Sequence, residues 1–210
     1  MKFGFYALKL CIACIIVFVL QLLIPGFTEL FILNKSAYIE IWRFASSIFL
    51  HASVAHILYN LFALALFGSM LESLVGGRKF LLIFFATGIL ANIIAVNFYD
   101  SALGASGAIY GVIGALIIVR PLLMVWAFGL PMPIFIAGII WAAGDFIGLF
   151  MPSNVGNIAH LSGIFFGLIF GFIFRNWKNE KERNGNASNS FKYKVDEDKV
   201  REWEDYYLRR

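Results

Sequence analysis

Gly104-Ala105-Ser106-Gly107-Ala108-Ile109-Tyr110-Gly111-Val112-Ile113-Gly114 is an apolar run punctuated by glycine, with one hydroxyl near its start. Glycines at 104, 107, 111 and 114 fall on one face of a helix. Small residues at such spacing let membrane helices approach closely. A polar side chain in hydrocarbon is costly and needs a partner or a task. A second stretch, Ala159-His160-Leu161-Ser162-Gly163, has the same character: His160, Gly163, Gly167 and Gly171 also share a helix face. A serine and a histidine on two helices built to touch point to a nucleophile and its base.

The composition agrees with a membrane setting. Of 210 residues, 60% are hydrophobic and 14% charged, and the mean hydropathy is +0.80. Long apolar runs with so little charge mark a polytopic membrane chain. The formal charge of +4 belongs to the loops and a hydrophilic C-terminal stretch. The basic residues form no aromatic-interleaved groove, so no nucleic-acid partner is expected. Cys11 and Cys14 lie inside the first apolar run without a second pair or a nearby histidine, and read as inert core cysteines.

Taken in order, the chain predicts six spans. They cover residues 3–24, a second span that the stretch His51 to Asn60 leads into and that runs to about Met70, then about 80–96, 103–119, 134–150 and 158–174. Residues 25–52 form a long amphipathic connection suited to the bilayer interface, with Trp42-Arg43 at headgroup level. Gly76-Gly77-Arg78-Lys79 reads as a short basic turn. Residues 122–133 are apolar but contain Gly129, Pro131 and Pro133, and read as a membrane-hugging loop. The fold class is therefore all-α membrane, a six-helix bundle. Residues 1–175 form the membrane domain and 176–210 a hydrophilic, partly disordered tail. Lys2, Lys9, Arg78, Lys79, Arg120 and the tail outweigh Lys35 and Arg43 on the other side, which puts both termini in the cytoplasm. Ser106, His160 and His56 then share the outer side.

His56 and Asn60 are four residues apart, on one face of the second span. With the backbone N–H of Ser106 in the first turn of its helix, they offer donors for an oxyanion. Tyr110, one turn below Ser106, is placed to stack on or support an imidazole. His51 lies off the His56–Asn60 stripe. Asp145 admits two readings: a third member orienting His160, or a structural or water-facing carboxylate, which the residues favour. An aspartyl protease would need a second deep carboxylate and a zinc protease an HExxH string; the chain has neither.

Trp42-Arg43, His51-(x4)-His56-(x3)-Asn60, Gly104-x-Ser106-Gly107 with Tyr110, and Ala159-His160-x-x-Gly163-(x3)-Gly167 form an ordered set. Together they resemble rhomboid intramembrane serine proteases, over about residues 38–175. The resemblance implies a minimal six-helix member with Ser106 as nucleophile and His160 as base, a dyad without a required acid. It further implies that His56 and Asn60 line the oxyanion hole and that His51 is a supporting residue. Ser162 is a small variation expected to be harmless. No cofactor is expected. Implied partners are the lipid bilayer and single-span membrane protein substrates, cut near the outer ends of their helices. The fifth span and the loop at 151–157 would form a gate. A prokaryotic plasma membrane is the simplest location.

Two alternatives stand beside this. One is a catalytically silent rhomboid-like protein that binds membrane helices; the presence of both Ser106 and His160 argues against it. The other is a small transporter or channel with a polar path of Ser, His, Asn and Asp. It would want an inverted repeat, and none is visible.

Overall fold

The computed structural model describes residues 4–151 and 155–175. The hydrophilic stretch at 176–210, and three residues of the last turn, lie outside the described residues. Among the described residues, four helices are long and apolar enough to cross a membrane: α1 (Tyr6–Leu23), α2 (Val54–Val75), α3 (Gly77–Ala95) and α6 (Asn157–Phe174). Two apolar helices between them are shorter, α4 (Ser106–Val119) and α5 (Ile134–Gly148). The molecule is mostly helical, with two small antiparallel ladders among the described residues.

Each outer helix buries one stripe and leaves its other face, still apolar, exposed. In α1 the stripe is Ala7, Leu10, Cys11 and Cys14, the i, i+3, i+4, i+7 spacing of a single face. Both cysteines are free thiols buried in this contact. The N-terminus of α1 is closed by Glu72 of α2, whose carboxylate accepts from the amides of Gly4 and Ala7, each at 3.1 Å. A negative group there satisfies orphan donors and complements the helix dipole.

Helix α4 differs: Gly107 to Ile109 and Gly111 to Leu116 are buried, so it is surrounded. A helix apolar on all sides belongs in the middle of a bundle. Its glycines make this possible. A Cβ on Gly163 of α6 would overlap the carbonyl of Gly107, and one on Gly167 would overlap the carbonyl of Gly111. In the other direction, a Cβ on Gly114 would lie 2.5 Å from the Ile164 carbonyl. Helices α4 and α6 thus touch backbone to backbone, as the glycine spacing predicts. On its far side Gly111 receives Thr87 of α3.

The connection between α1 and α2 is compact rather than polar filler. It contains short helices at Phe27–Phe31 and Arg43–Ser46 and strand β1 (Leu33–Asn34). Strand β1 pairs with β2 (Ser101–Ala102), just ahead of α4. Arg43 turns inward instead of reaching for headgroups. Its Nη1 donates to the carbonyls of Glu29 and Ile32 at 2.7 and 2.9 Å, and its Nε to Glu40 at 2.6 Å. A guanidinium supplies enough donors to gather free carbonyls from one loop. Trp42 stays half-exposed beside it. The Gly104 amide donates to the Ser47 carbonyl at 2.9 Å, so this loop also holds the approach to α4.

Two local expectations are corrected. Residues 76–79 do not form a four-residue turn: Gly76 alone, at φ 87°, breaks the chain, and Gly77, Arg78 and Lys79 open α3. One residue in a conformation open to glycine is enough to reverse direction. The apolar stretch before α5 is a hairpin, β3 (Met124–Ala127) with β4 (Leu130–Pro133). Its turn residues Phe128 and Gly129 both have positive φ, 55° and 79°, the two-residue geometry that suits strand twist. Pro131 and Pro133 are tolerated because a two-stranded ladder has only edges.

Candidate active site

Ser106 is the first residue of α4, His56 and Asn60 lie in the first half of α2, and His160 lies one turn into α6. The structure brings all four, with Tyr110, onto one cavity of about 630 Å³. The cavity follows α2 from its cap Ser53 to Phe67 and α4 from Ser106 to Ile113, and is lined on the α5 side by Trp141. His51 is not on it. It sits behind His56, ring edge to ring face at 5.2 Å, and is buried.

Helix α2 begins with a side-chain cap: Ser53 accepts from the His56 amide at 3.1 Å. This fixes the first turn and with it the His56 ring. The Ala52 amide donates to His56 Nδ1 at 3.4 Å, so the neutral ring carries its proton on Nε2. That edge lies against Gly104, where a Cβ would come within 2.8 Å of Nε2 and Cε1. Gly104 also has φ 121°, a conformation that side chains disfavour. Asn60 donates one amide hydrogen to the His56 carbonyl at 2.9 Å, which keeps both residues on one face and leaves a second hydrogen. The Ser106 amide lies in the first turn of α4, where N–H groups lack an intrahelical acceptor.

His160 is held from two directions. The Tyr110 ring stacks on it at 4.1 Å and 10°. Asp145 Oδ1 of α5 lies 3.0 Å from its Nδ1. Asp145 is therefore neither remote nor water-facing. It is buried, which corrects the water-facing half of the reading favoured from sequence and leaves the structural half untouched. The helix that carries His160 is itself anchored at its start, where Tyr99 Oη accepts from the Ile158 amide at 3.0 Å. Across from it, Gly148 of α5 lets Asn157 pack closely.

His51 donates from Nδ1 to the Phe49 carbonyl at 3.1 Å. Its own amide and carbonyl are both bonded by Gln21 of α1, at 2.9 and 3.3 Å. Burial, and His56 beside it, push His51 down to about 4, so near neutral pH it is an uncharged packing group. Tyr99 and Gln21 are not legible in the sequence as site supports. Each acts across the fold through a backbone group, and no local spacing marks that. For Asp145 a signal does exist: Gly138, Trp141, Asp145 and Gly148 recur on one face of α5. Among the described residues, no group of three or more His, Cys, Asp or Glu is placed to hold a metal ion.

The fold and the site define an integral membrane protein with a serine and a histidine on one cavity. The family model described as Rhomboid domain matches residues 38–177, and the chain belongs to the rhomboid family. It is 32% identical over 180 residues to the rhomboid protease GlpG of Haemophilus influenzae, covering 81% of this chain and 91% of that one. It is 28% identical over 174 residues to the rhomboid protease GlpG of Yersinia pseudotuberculosis, covering 80% of this chain and 62% of the relative's length. The protein of that name from Yersinia pestis gives the same figures, 28% over 174 residues.

Proposed function

We propose that this chain is a serine-type endopeptidase that cuts single-span membrane proteins within the bilayer, with Ser106 as nucleophile and His160 as base. The observation that carries this reading is the glycine-mediated contact of α4 with α6. It brings the first turn of one helix against the first turns of the other, with Ser106 and His160 on a common cavity. Membership of a family whose named relatives include proteases supports it.

Ser106 Oγ attacks the scissile carbonyl carbon as His160 Nε2 takes its proton. The oxyanion is met by His56 Nε2–H, the spare Asn60 amide hydrogen and the Ser106 amide. Each such donor is worth about 3–4 kcal/mol in comparable sites. The C–N bond then breaks, the departing amine takes the proton from His160, and an acyl-serine remains. Water, deprotonated by His160, releases it.

The length of α4 accounts for the depth of the site. Its 14 residues rise about 21 Å, against a hydrocarbon core of about 30 Å. Enclosed by protein, α4 need not span the whole core, so its Ser106 end stands below the bilayer surface. In this reading α4 and α5 count as spans, giving six, with both termini cytoplasmic and the site toward the outer face of a prokaryotic plasma membrane. Helix α5 and the connection that follows it form the gate through which water reaches the site. Substrate cleavage by the wild type, compared with Ser106→Ala and His160→Ala, tests the assignment.

A further inference from the structure

We infer that Asp145 is a positioning residue of this site, a carboxylate that holds the His160 imidazole in the tautomer and orientation that a base for Ser106 requires. The inference rests on the Ser106–His160 reading above.

The geometry starts on α5. Gly138, Trp141, Asp145 and Gly148 form its inward stripe, and a carboxylate on that stripe is removed from water, 7% exposed. A buried acid in an apolar bundle must be satisfied by a partner. The partner is His160 Nδ1, at 3.0 Å from Oδ1. Oδ2 has no hydrogen-bond partner among the described residues, and the Tyr110 phenol is a second polar group acting on the same carboxylate. An ionised carboxylate only accepts, which requires the proton of the neutral imidazole to sit on Nδ1. Nε2 is then bare, the form a base must have to take the Ser106 proton. A protonated Asp145 donating to Nδ1 would leave the hydrogen on Nε2 and the base blocked, so the tautomer decides between the two.

Tyr110 and Asp145 constrain different freedoms. The stacked phenol, at 4.1 Å and 10°, fixes the plane of the ring. The carboxylate fixes its rotation within that plane. In the attack, the bond from Ser106 Oγ to the carbonyl carbon forms as the proton passes to Nε2. The resulting imidazolium lies beside a carboxylate in a low-dielectric setting, where that pairing is strongest. Asp145 exchanges no proton with substrate. The close approach of Asn157 to Gly148, one turn along both helices from the Asp145–His160 pair, sets the distance between them.

The test uses the full chain in lipid, with selectively 15N-labelled histidine. In the wild type at alkaline pH, the His160 signals, assigned by their loss in His160→Ala, should show a protonated Nδ1 and a bare Nε2. In Asp145→Asn the Nε2–H form should appear, and kcat should fall at least tenfold while KM for a single-span substrate stays within twofold. Asp145→Glu should recover part of kcat. A wild-type spectrum with the proton on Nε2 overturns the inference, and this reading needs no variant to fold. So does wild-type kcat in Asp145→Asn. If instead Ser106→Ala or His160→Ala cleaves like wild type, the underlying assignment fails, and this inference with it.

Discussion

At the scale of single residues, Gly104 is the position where backbone and chemistry meet most tightly. Its φ is 121°, and a Cβ added there would come within 2.8 Å of the His56 ring, so no side chain fits. Gly104→Ala should displace His56 from the position proposed for it as an oxyanion donor. Loss of one such donor costs about 10²–10³ in kcat, so kinetics on a single-span substrate should show a fall of that order, with folding retained. His51 makes a different prediction. Its value falls from the ordinary 6.5 to about 4 because it is buried beside His56. The unfolded chain therefore binds more protons across that window, and stability rises with pH through it. Thermal denaturation in detergent should show stability falling as pH drops from about 6.5 toward 4. In His51→Asn that slope should be shallower. His56 and Asn60 can be paired from sequence because helix spacing puts them on one face. The setting of His51 cannot, because it depends on Gln21 thirty residues earlier.

At the scale of elements, the α4–α6 contact is the joint on which the site depends. Gly167 faces backbone, the Gly111 carbonyl, which cannot swing aside as a side chain could. Gly167→Val should force the helices apart. Overpacking costs about 1–3 kcal/mol, and more where backbone is the obstacle. The melting temperature should drop by several degrees, and cleavage should be lost. Gly144→Ala on α5 is the matched control: open space surrounds it, so stability should hold or rise slightly. The glycine spacing makes this contact legible because close helix packing in a membrane needs small residues at just such intervals. The hairpin at β3 and β4 is less so. Prolines announce that no helix continues there, but whether the strands close on each other depends on the turn conformation of Phe128 and Gly129. The turn after α2 is shorter than its composition implies for a related reason: Gly76 carries the reversal alone, and the two basic residues that look like a loop fit the first turn of α3.

At the scale of the whole molecule, a short enclosed helix surrounded by longer ones carries Ser106 at its first turn, on the cavity shared with His160. The longer helices are readable as apolar runs, because hydrocarbon thickness sets their length. The approach to the cavity, and the side from which each support comes, require the fold. Asp145 is the clearest case. A carboxylate in a span can face water or another helix, and only the packing of α5 on α6 decides. The central claim is that Ser106 and His160 form one catalytic unit. Its most direct measurement is cleavage of a fluorescent single-span substrate by purified protein in lipid vesicles, alongside Ser106→Ala and His160→Ala. The account predicts cleavage by the wild type and none by either variant, with all three equally folded. Equal cleavage by all three would contradict it.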